Sequence, residues 1–409
     1  MPPRSGEPGS RIEIIDALRG SALLGILLLH SIEHWDFLRA PDSTPAWLRP
    51  IDAATHQTAF FLFGGKAYGI FALMFGISFS IILERWSQRG IDFRSRFLWR
   101  LGVLGVFGYL HGIIYCGDIL LVLAVLGIPL AFCTRLGNRA ILAISVLLML
   151  QLPSAWDAAR VIFDAGYHPP TPRHWVIYGE LEKVFATGSF FDVSAINLWR
   201  GQSARIWFTI ETGRYLQMMG LFLCGVLIAR SGALADPIRA VRLGRRALAW
   251  GAAGFAVLFP IRLLLGRWGL RGMDQYVVDN WVGSYGNIAQ MAFWVGAFVL
   301  VWQAAPARAV LRLLAPYGRM SLTSYVTQAL VSVPLFYGYG LALYHGMGAF
   351  PSILYGAGLF IVQAAVARWW LARFHYGPLE WLWRACTFLD FTVPLRRAAR
   401  PAATAPVAP

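Results

Sequence analysis

Apolar residues run along most of this chain in long stretches, and short polar segments rich in arginine separate them. A helix needs about 20 mostly apolar residues to cross the hydrocarbon core of a bilayer. The pattern therefore predicts an all-α fold, a polytopic integral membrane bundle of about ten transmembrane helices. The predicted spans are residues 14–33, 57–84, 97–115, 118–134, 139–157, 205–229, 246–265, 284–303, 320–342 and 352–373.

The segments between the spans suggest how the chain is divided. Residues 158–204 are polar and carry tryptophans, which favour short helices lying at the membrane interface. The last residues are rich in Ala, Pro and Arg and predict disorder. We expect a cytoplasmic N-terminus, two five-helix membrane halves around an extracytoplasmic segment, and a disordered cytoplasmic tail: 1–13, 14–157, 158–204, 205–385 and 386–409.

Composition excludes an ordinary soluble domain, because 57% of the residues are hydrophobic and only 14% are charged. The net charge of +15 would suit a nucleic-acid partner, but the arginines fall in clusters between apolar runs. That distribution follows the positive-inside rule. With a cytoplasmic N-terminus, 23 basic residues lie inside and nine outside, so both termini are expected in the cytoplasm and the bilayer is the expected partner.

Ionisable side chains inside apolar spans are costly and are therefore candidates for function. In the first span Asp16 and Arg19 are three residues apart and can form an ion pair near the cytoplasmic edge. At the outer end, the spacing of His30, Glu33 and His34 predicts that they share one helical face. A histidine beside a carboxylate is the arrangement of a general base. No third metal ligand is dictated by the sequence, and no metal is expected.

The next three spans supply four further candidates. His56 stands at the outer end of the second span, and Lys66 lies in a glycine-rich run of the same span. A buried lysine needs an anionic partner or ligand, and the glycines would let a helix or a slender ligand approach. Asp118 stands in a Gly-Asp turn, either as a helix N-cap or as an acid beside His111, which is expected to face the bundle interior.

The later spans carry polar groups of two kinds. Glu211 and Arg214 are three residues apart in the sixth span. Tyr325 and Gln328 belong to a polar stripe in the ninth span. Hydrogen bonding between helices and binding of a polar substrate both explain such groups, and the sequence leaves the two open.

Five stretches resemble the YeiB-like family of bacterial membrane proteins. They are IDALRGSALLGILLLH (15–30), GKAYGIFALMFGISFSI (65–81), RFLWRLGVLGVFGYLHGIIYCGDILL (96–121), YGRMSLTSYVTQALVSVPLF (317–336) and HYGPLEWLWRACT (375–387). The resemblance covers nearly the whole chain in order. It implies a bacterial inner-membrane location, a C-terminal domain of unknown function, and an N-terminal half similar to the transmembrane acyltransferases that include heparan-alpha-glucosaminide N-acetyltransferase.

The acyltransferase resemblance implies a donor, acetyl-CoA or another acyl-CoA, that enters from the cytoplasm. Asp16 and Arg19 would lie near the coenzyme, and Arg19, Arg96 and Arg100 would hold its phosphates. The pantetheine arm would follow the small residues of the second span. Lys66 or a glutamine of the ninth span would stabilise the oxyanion.

The same resemblance implies a histidine that deprotonates an acceptor hydroxyl or amine, on a small molecule or a glycan, from the outer side. Relatives often carry Asn at the position of His30, so the role falls to His34, His56 or His111. His34 comes first and His111 second, with Asp118 beside His111, and His30 stands behind them. The acceptor would contact polar groups of the outer half: Glu33, His56, Glu211, Arg214, Tyr325 and Gln328.

Two other classes of function remain open at this point. A transporter or permease would use the buried charges as a polar substrate site for an organic solute. A scaffold without chemistry would use them only as ion pairs between helices. The sequence is compatible with a homodimer and does not identify the acceptor or the acyl chain.

Overall fold

The computed structural model describes residues 12–37, 41, 43–133 and 135–396. Among these residues there is no β-strand, which confirms the all-α fold. The first helices are α1 Glu13–Ile32, α2 Arg49–Phe63, α3 Ala67–Ser87, α4 Arg94–Ile114, α5 Leu120–Cys133 and α6 Asn138–Met149. Next come α7 Leu152–Phe163, α8 Arg173–Thr187, α9 Phe190–Ile196, α10 Gln202–Glu211, α11 Arg214–Arg230 and α12 Pro237–Leu264. The last are α13 Gly272–Val301, α14 Ala305–Leu311, α15 Ala315–Arg319, α16 Ser321–Phe336, α17 Ala349–Arg373 and α18 Pro378–Phe388.

Seven segments of the described chain are long and apolar enough to cross a membrane, so this is a membrane protein. They are Glu13–Ile32, Arg49–Ser87, Arg94–Ile114, Asn138–Phe163, Pro237–Arg267, Gly272–Val301 and Ala349–Arg373. The pair Phe190–Glu211 and Arg214–Arg230 gives an eighth if its bend of 72° lies within one span. The remaining two predicted spans are α5 and α16, with 14 and 16 residues. At about 1.5 Å per residue, each is shorter than a hydrocarbon core of roughly 30 Å.

Helix α1 contacts both predicted halves of the chain, α2 and α3 on one side and α15 to α17 on the other. It crosses α15 with almost no space between the backbones. A Cβ on Gly20 would lie 2.3 Å from the Leu314 carbonyl oxygen, and one on Gly318 would lie 1.9 Å from the Asp16 carbonyl oxygen. Glycine at both positions is therefore required by the contact, and the two halves pack as one bundle.

The small residues of α3 also serve helix packing. A Cβ on Gly76 would lie 2.0 Å from the Phe222 carbonyl oxygen, and one on Gly225 of α11 would lie 2.4 Å from the Leu73 carbonyl oxygen. These glycines form a close interface between α3 and α11. Other small residues of the same predicted span, Gly64, Gly65 and Ala67, line the cavity described below.

Helix α18 holds the beginning of α16. The Glu380 carboxylate accepts hydrogen bonds from the backbone N–H groups of Leu322 (2.7 Å) and Thr323 (3.1 Å), and from the Thr323 hydroxyl (2.6 Å). This is a helix N-cap supplied from a distant part of the chain. The contact joins the GPLEWLWR string to the SLTSY string. The predicted tail, residues 386–409, begins with ordered residues, because α18 continues to Phe388 and the described chain to residue 396. The rest of the predicted tail, from residue 397 on, lies outside the described residues, as do residues 1–11.

Replacing Glu380 with Ala should lower the free energy of unfolding by about 1–3 kcal/mol, because two buried N–H groups lose their acceptor. The measurement is equilibrium unfolding in mixed detergent micelles. Glu84→Ala is the matched control, since exposed Glu84 accepts only from the Gln88 side chain. Equal stability losses in the two variants would show that the cap contributes nothing.

Candidate functional site

A cavity of about 970 Å³ lies between α1, α2, α3 and α10 to α13, with α8 beside it. This volume is at the upper end for small-molecule sites. Helix α1 contributes wall residues only from Ile26 onward, so the cavity lies at the end of α1 that the arginine distribution predicts to be outside. Acidic, basic and histidine side chains on its wall come from eight segments of the chain: His30, Glu33, Asp36, Lys66, Asp118, His174, Glu182, Arg205, Arg214, Arg262 and Asp279.

The chain leaves α1 through an unusual turn. Helix α1 ends at Ile32, and the next turn contains three consecutive left-handed residues, His34, Trp35 and Asp36, with φ of 49°, 64° and 64°. This conformation is unfavourable for residues with a side chain and persists only where the surroundings enforce it. Trp35 is fully buried, and its carbonyl oxygen accepts a hydrogen bond of 3.0 Å from the Tyr337 hydroxyl.

Because of this turn, the side chains that follow α1 do not lie where helical spacing predicted. His34 points away from the cavity, is 4% exposed, and stacks on Phe336 with ring centroids 5.2 Å apart. Asp36 returns to the cavity wall beside His30. The expectation that His34 shares the face of His30 is wrong, because the helix ends before it.

His30 is the histidine of α1 that faces the cavity. Its Nδ1 lies 2.8 Å from the Tyr115 hydroxyl and 3.4 Å from Glu33 Oε2. One ligand atom each from His30, Glu33 and Asp36 can be chosen so that all three lie within 4.8 Å of one another. One nitrogen and two carboxylates at this separation could hold a divalent cation, although the sequence led us to expect none.

Burial is the largest cause that raises the pKa of Asp36 to about 6; His30 opposes the rise, and nearby Glu33 contributes to it. The folded state therefore binds a proton that the unfolded chain, with an ordinary carboxyl pKa near 3.9, releases earlier. The stabilisation from that proton is complete below about pH 4 and is lost as the pH rises through about 6.

Asp36→Asn should accordingly raise the thermal unfolding midpoint at pH 8, and the gain should shrink as the pH falls from 7 to 5. Unfolding scans in EDTA, which removes divalent cations that could compensate the charge, provide the measurement. Asp164→Asn, a change at an exposed carboxylate, should show no such pH-dependent gain. A gain for Asp36→Asn that does not vary with pH would contradict the assignment.

Asp118 combines the two roles that the sequence left open. Its Oδ2 accepts from the backbone N–H of Leu121 (3.0 Å) in the first turn of α5 and from Arg205 Nη1 (3.2 Å). Its Oδ1 lies 2.9 Å from His111 Nδ1. His111 faces the interior as expected, at 4% exposure, and its Nε2 has no hydrogen-bond partner among the described residues. Asp118 and Arg205 lie on the cavity wall, whereas His111 lies behind them.

Tyr325 joins this network to α16. Its hydroxyl oxygen accepts a 3.1 Å hydrogen bond from the backbone N–H of Ile119, and its ring lines the cavity. Gln328, one turn further along α16, is fully buried away from the cavity and hydrogen-bonds Tyr317. The polar stripe therefore contributes one residue to the wall and one to contacts between helices.

Lys66 lies in a break between α2 and α3, not inside a continuous helix. The preceding Gly65 has φ of +76°, and a Cβ there would lie 2.2 Å from the Asn287 amide nitrogen of α13. Lys66 is 5% exposed, and its Nζ donates to the Phe60 carbonyl oxygen at 3.1 Å. The break thus places a buried ammonium group on the cavity wall.

Glu211 and Arg214 also separate, because Gly213 (φ +69°) ends the first of their two helices. Arg214 lines the cavity, with its guanidinium carbon 4.6 Å from the Tyr68 ring centroid. Glu211 instead accepts from the backbone N–H groups that begin α8 and lies 2.6 Å from His174 Nδ1. Burial lowers the pKa of His174, and the hydrogen bond that His174 donates to Glu211 partly offsets this.

The residues expected to bind the coenzyme mostly contact neighbouring helices. Arg19 pairs with Asp16 at 3.3 Å, as predicted, and also donates to Ser78 Oγ at 2.7 Å. Arg96 and Arg100 contact α18 through the Thr387 carbonyl oxygen and the Trp383 ring, respectively. Of the expected set only Lys66 lines the cavity. His56 is exposed on α2 and stacks on Phe60.

Sequence reasoning missed Tyr115, Arg205, Arg262 and Asp279. Tyr115 stands immediately before the Cys-Gly-Asp string that contains Asp118, and this position was the signal that could have identified it. The other three come from segments distant along the chain, and Arg205 had been counted only as an outer-side charge.

Comparison with known proteins agrees with the predicted family. Residues 228–390 match a family described as "Protein of unknown function (DUF418)". The chain is 27% identical to the uncharacterized protein YxaH of Bacillus subtilis over 408 residues, covering 93% of this chain and 95% of YxaH. It is 26% identical to the uncharacterized protein YeiB of Escherichia coli over 421 residues, covering 95% and 97%. The chain is thus similar to YeiB-like proteins along nearly its whole length, as the sequence predicted. No solved structure matches it.

In this YeiB-like protein the cavity draws on both parts of the chain. The DUF418 match takes in α12 to α18, which supply Arg262, Asp279 and Tyr325 to the wall. The preceding part supplies His30 and Lys66. Neither part contains the site alone.

Proposed function

We propose that this YeiB-like protein is a membrane acyltransferase, with its acceptor bound in the cavity and His30 as the general base. The observation that carries the proposal is the position of His30 on the cavity wall, with Nδ1 beside the Tyr115 hydroxyl and Glu33. An oxygen partner at one ring nitrogen fixes the tautomer and leaves the other nitrogen for a substrate. His34 and His56, which do not line the cavity, are poorer candidates.

The proposed reaction is a single acyl transfer. His30 Nε2 removes a proton from an acceptor hydroxyl or amine, while the acceptor attacks the carbonyl carbon of an acyl thioester. The tetrahedral intermediate collapses, the carbon–sulfur bond breaks, and the leaving thiolate takes the proton from His30. Lys66 and Arg214 supply positive charge on the same wall for the oxyanion.

The acyl donor and the orientation of the protein in the membrane are also part of this proposal. The resemblance implies cytoplasmic acetyl-CoA or another acyl-CoA, and 23 basic residues against nine favour a cytoplasmic N-terminus in a bacterial inner membrane. The acceptor cavity then opens on the extracytoplasmic side. Because Arg19, Arg96 and Arg100 contact other helices, we assign no phosphate-binding role to them.

Transport of an organic solute is a second candidate, favoured by the shape of the cavity. Its wall includes only the last two turns of α1, and packed apolar residues of α1 and α3 lie beyond Ile26, towards the predicted cytoplasmic end. A cavity that lies at one end of α1 and contains buried charges also suits one state of a carrier.

Purified protein in an uncharged detergent, supplied with acetyl-CoA and a bacterial lipid and sugar extract, separates the two candidates. An acyltransferase releases the coenzyme thiol and labels an extract component from radioactive acetyl-CoA. It should also gain thermal stability at millimolar acetyl-CoA, because a ligand that binds the folded state stabilises it by mass action. No stabilisation and no thiol release would overturn the acyltransferase proposal.

A further inference from the structure

The cavity wall has a charged part and an apolar part. Much of the apolar part comes from two helices, with Phe60, Phe61 and Phe63 on α2 and Phe255, Leu258 and Phe259 on α12. A fully polar ligand would leave its hydrogen-bonding groups unpaired against these rings, at considerable cost. The wall therefore suits a ligand that is itself part polar and part apolar.

The apolar part also forms the boundary of the cavity towards the membrane. The Phe61 ring lies 5.9 Å from the Phe255 ring and 5.9 Å from the Phe259 ring, centroid to centroid. Phe61 is 42% exposed, and only glycines are buried along α12. Aromatic side chains, and not backbone, thus separate the cavity from the surface that faces lipid at this point.

Lys66 provides the matching charge. It is buried beside Phe61, with its Nζ 6.0 Å from the Phe61 ring centroid, and donates one hydrogen bond, to the Phe60 carbonyl oxygen. Across the described residues no carboxylate lies within 4 Å of its Nζ. Arg262 lines the same wall, but Asp279 holds its guanidinium at 2.6 and 2.9 Å. A buried ammonium without a carboxylate is a site for an anionic group.

We propose that the cavity binds an anionic lipid, with a phosphate against Lys66 and the hydrocarbon chain leaving between α2 and α12 past Phe61. This inference deepens the proposed function and rests on it for its functional meaning. The lipid would be the acyl acceptor, and its head group would extend towards His30. Lipid binding itself can be measured without acyl transfer.

The first test measures binding to the purified full-length protein in an uncharged detergent by native mass spectrometry. The probes are short-chain phosphatidic acid, phosphatidylcholine of the same chain length, and inorganic phosphate. Phosphatidic acid should bind at least tenfold more tightly than phosphatidylcholine, and Lys66→Gln should remove that preference. Lys183→Gln is the matched control, because Lys183 is the other lysine of the chain and is exposed on α8.

The second test locates the chain with a phosphatidic acid that carries a diazirine at its end. After irradiation, peptides around Phe255 and Phe259 should be labelled, and Lys66→Gln should reduce that labelling at least fivefold. Labelling of the lipid-facing residues Leu354 and Ile361 on α17 should not change, since it reports general contact with lipid.

Three results would overturn the inference. They are equal binding of the two lipids, equal behaviour of the two lysine variants, and labelling of α12 that does not depend on Lys66. A fourth result, displacement of the lipid by inorganic phosphate at the dissociation constant of phosphate, would assign the site to free phosphate and contradict binding of a lipid. Lys66-dependent lipid binding without any acyl transfer would leave this inference standing and remove only the proposed reaction.

Discussion

Replacing His30 with Asn is expected to lower acyl-transfer turnover about 100-fold or more, the usual range for loss of a general base. Asparagine keeps a hydrogen-bonding group beside Tyr115 but cannot take a proton at neutral pH. The effect should appear in turnover and not in the thermal unfolding midpoint. Thiol release from acetyl-CoA with the acceptor fraction provides the measurement.

His56→Asn is the matched control, because His56 is exposed on α2 and does not line the cavity. Its turnover should equal that of the wild type. If His30→Asn retains turnover and His111→Asn loses it, the base is His111 with Asp118, and our assignment within the cavity is wrong. If neither change lowers turnover, the cavity is not the reaction site.

Replacing Asp118 with Ala should be the most destabilising single change considered, at about 3–5 kcal/mol. The reason is that Arg205, 4% exposed, would keep its charge inside the protein without a counter-ion. The first turn of α5 and His111 Nδ1 would lose the same acceptor. Equilibrium unfolding in mixed detergent micelles measures the loss.

Two further variants make this test specific. Glu180→Ala removes one partner of an exposed ion pair with Arg200 and should cost no more than about 1 kcal/mol. Adding Arg205→Gln to Asp118→Ala should recover part of the loss, because it removes the uncompensated charge. Losses that simply add in the double variant would show that Asp118 and Arg205 do not stabilise each other.

The charged residues of the cavity wall should respond to substitution in two different ways. Asp118 and Arg205 are held by contacts with each other, so their removal should reduce stability. Lys66 has no carboxylate within 4 Å in the described chain, so its removal should affect ligand binding more than folding. This separation explains why a protein of mostly apolar helices keeps so many charges at one place.

The sequence by itself determined the helical fold, because a long apolar stretch can satisfy its backbone in a membrane only as a helix or in a closed barrel. It also determined the local pairs: Asp16 and Arg19 are one helical turn apart, and Asp118 begins an apolar helix. Such features depend on neighbours along the chain, which a sequence displays directly.

Only the tertiary structure decided which ionisable groups meet. The left-handed turn after α1 places Asp36, and not His34, on the cavity wall beside His30. The break at Gly213 separates Glu211, which contacts α8, from Arg214, which lines the cavity. Packing against Phe336, Tyr337 and α8 fixes both turns, and those contacts join residues far apart in sequence. Helical spacing predicts a shared face only while the helix continues, and long-range packing determines where each helix ends.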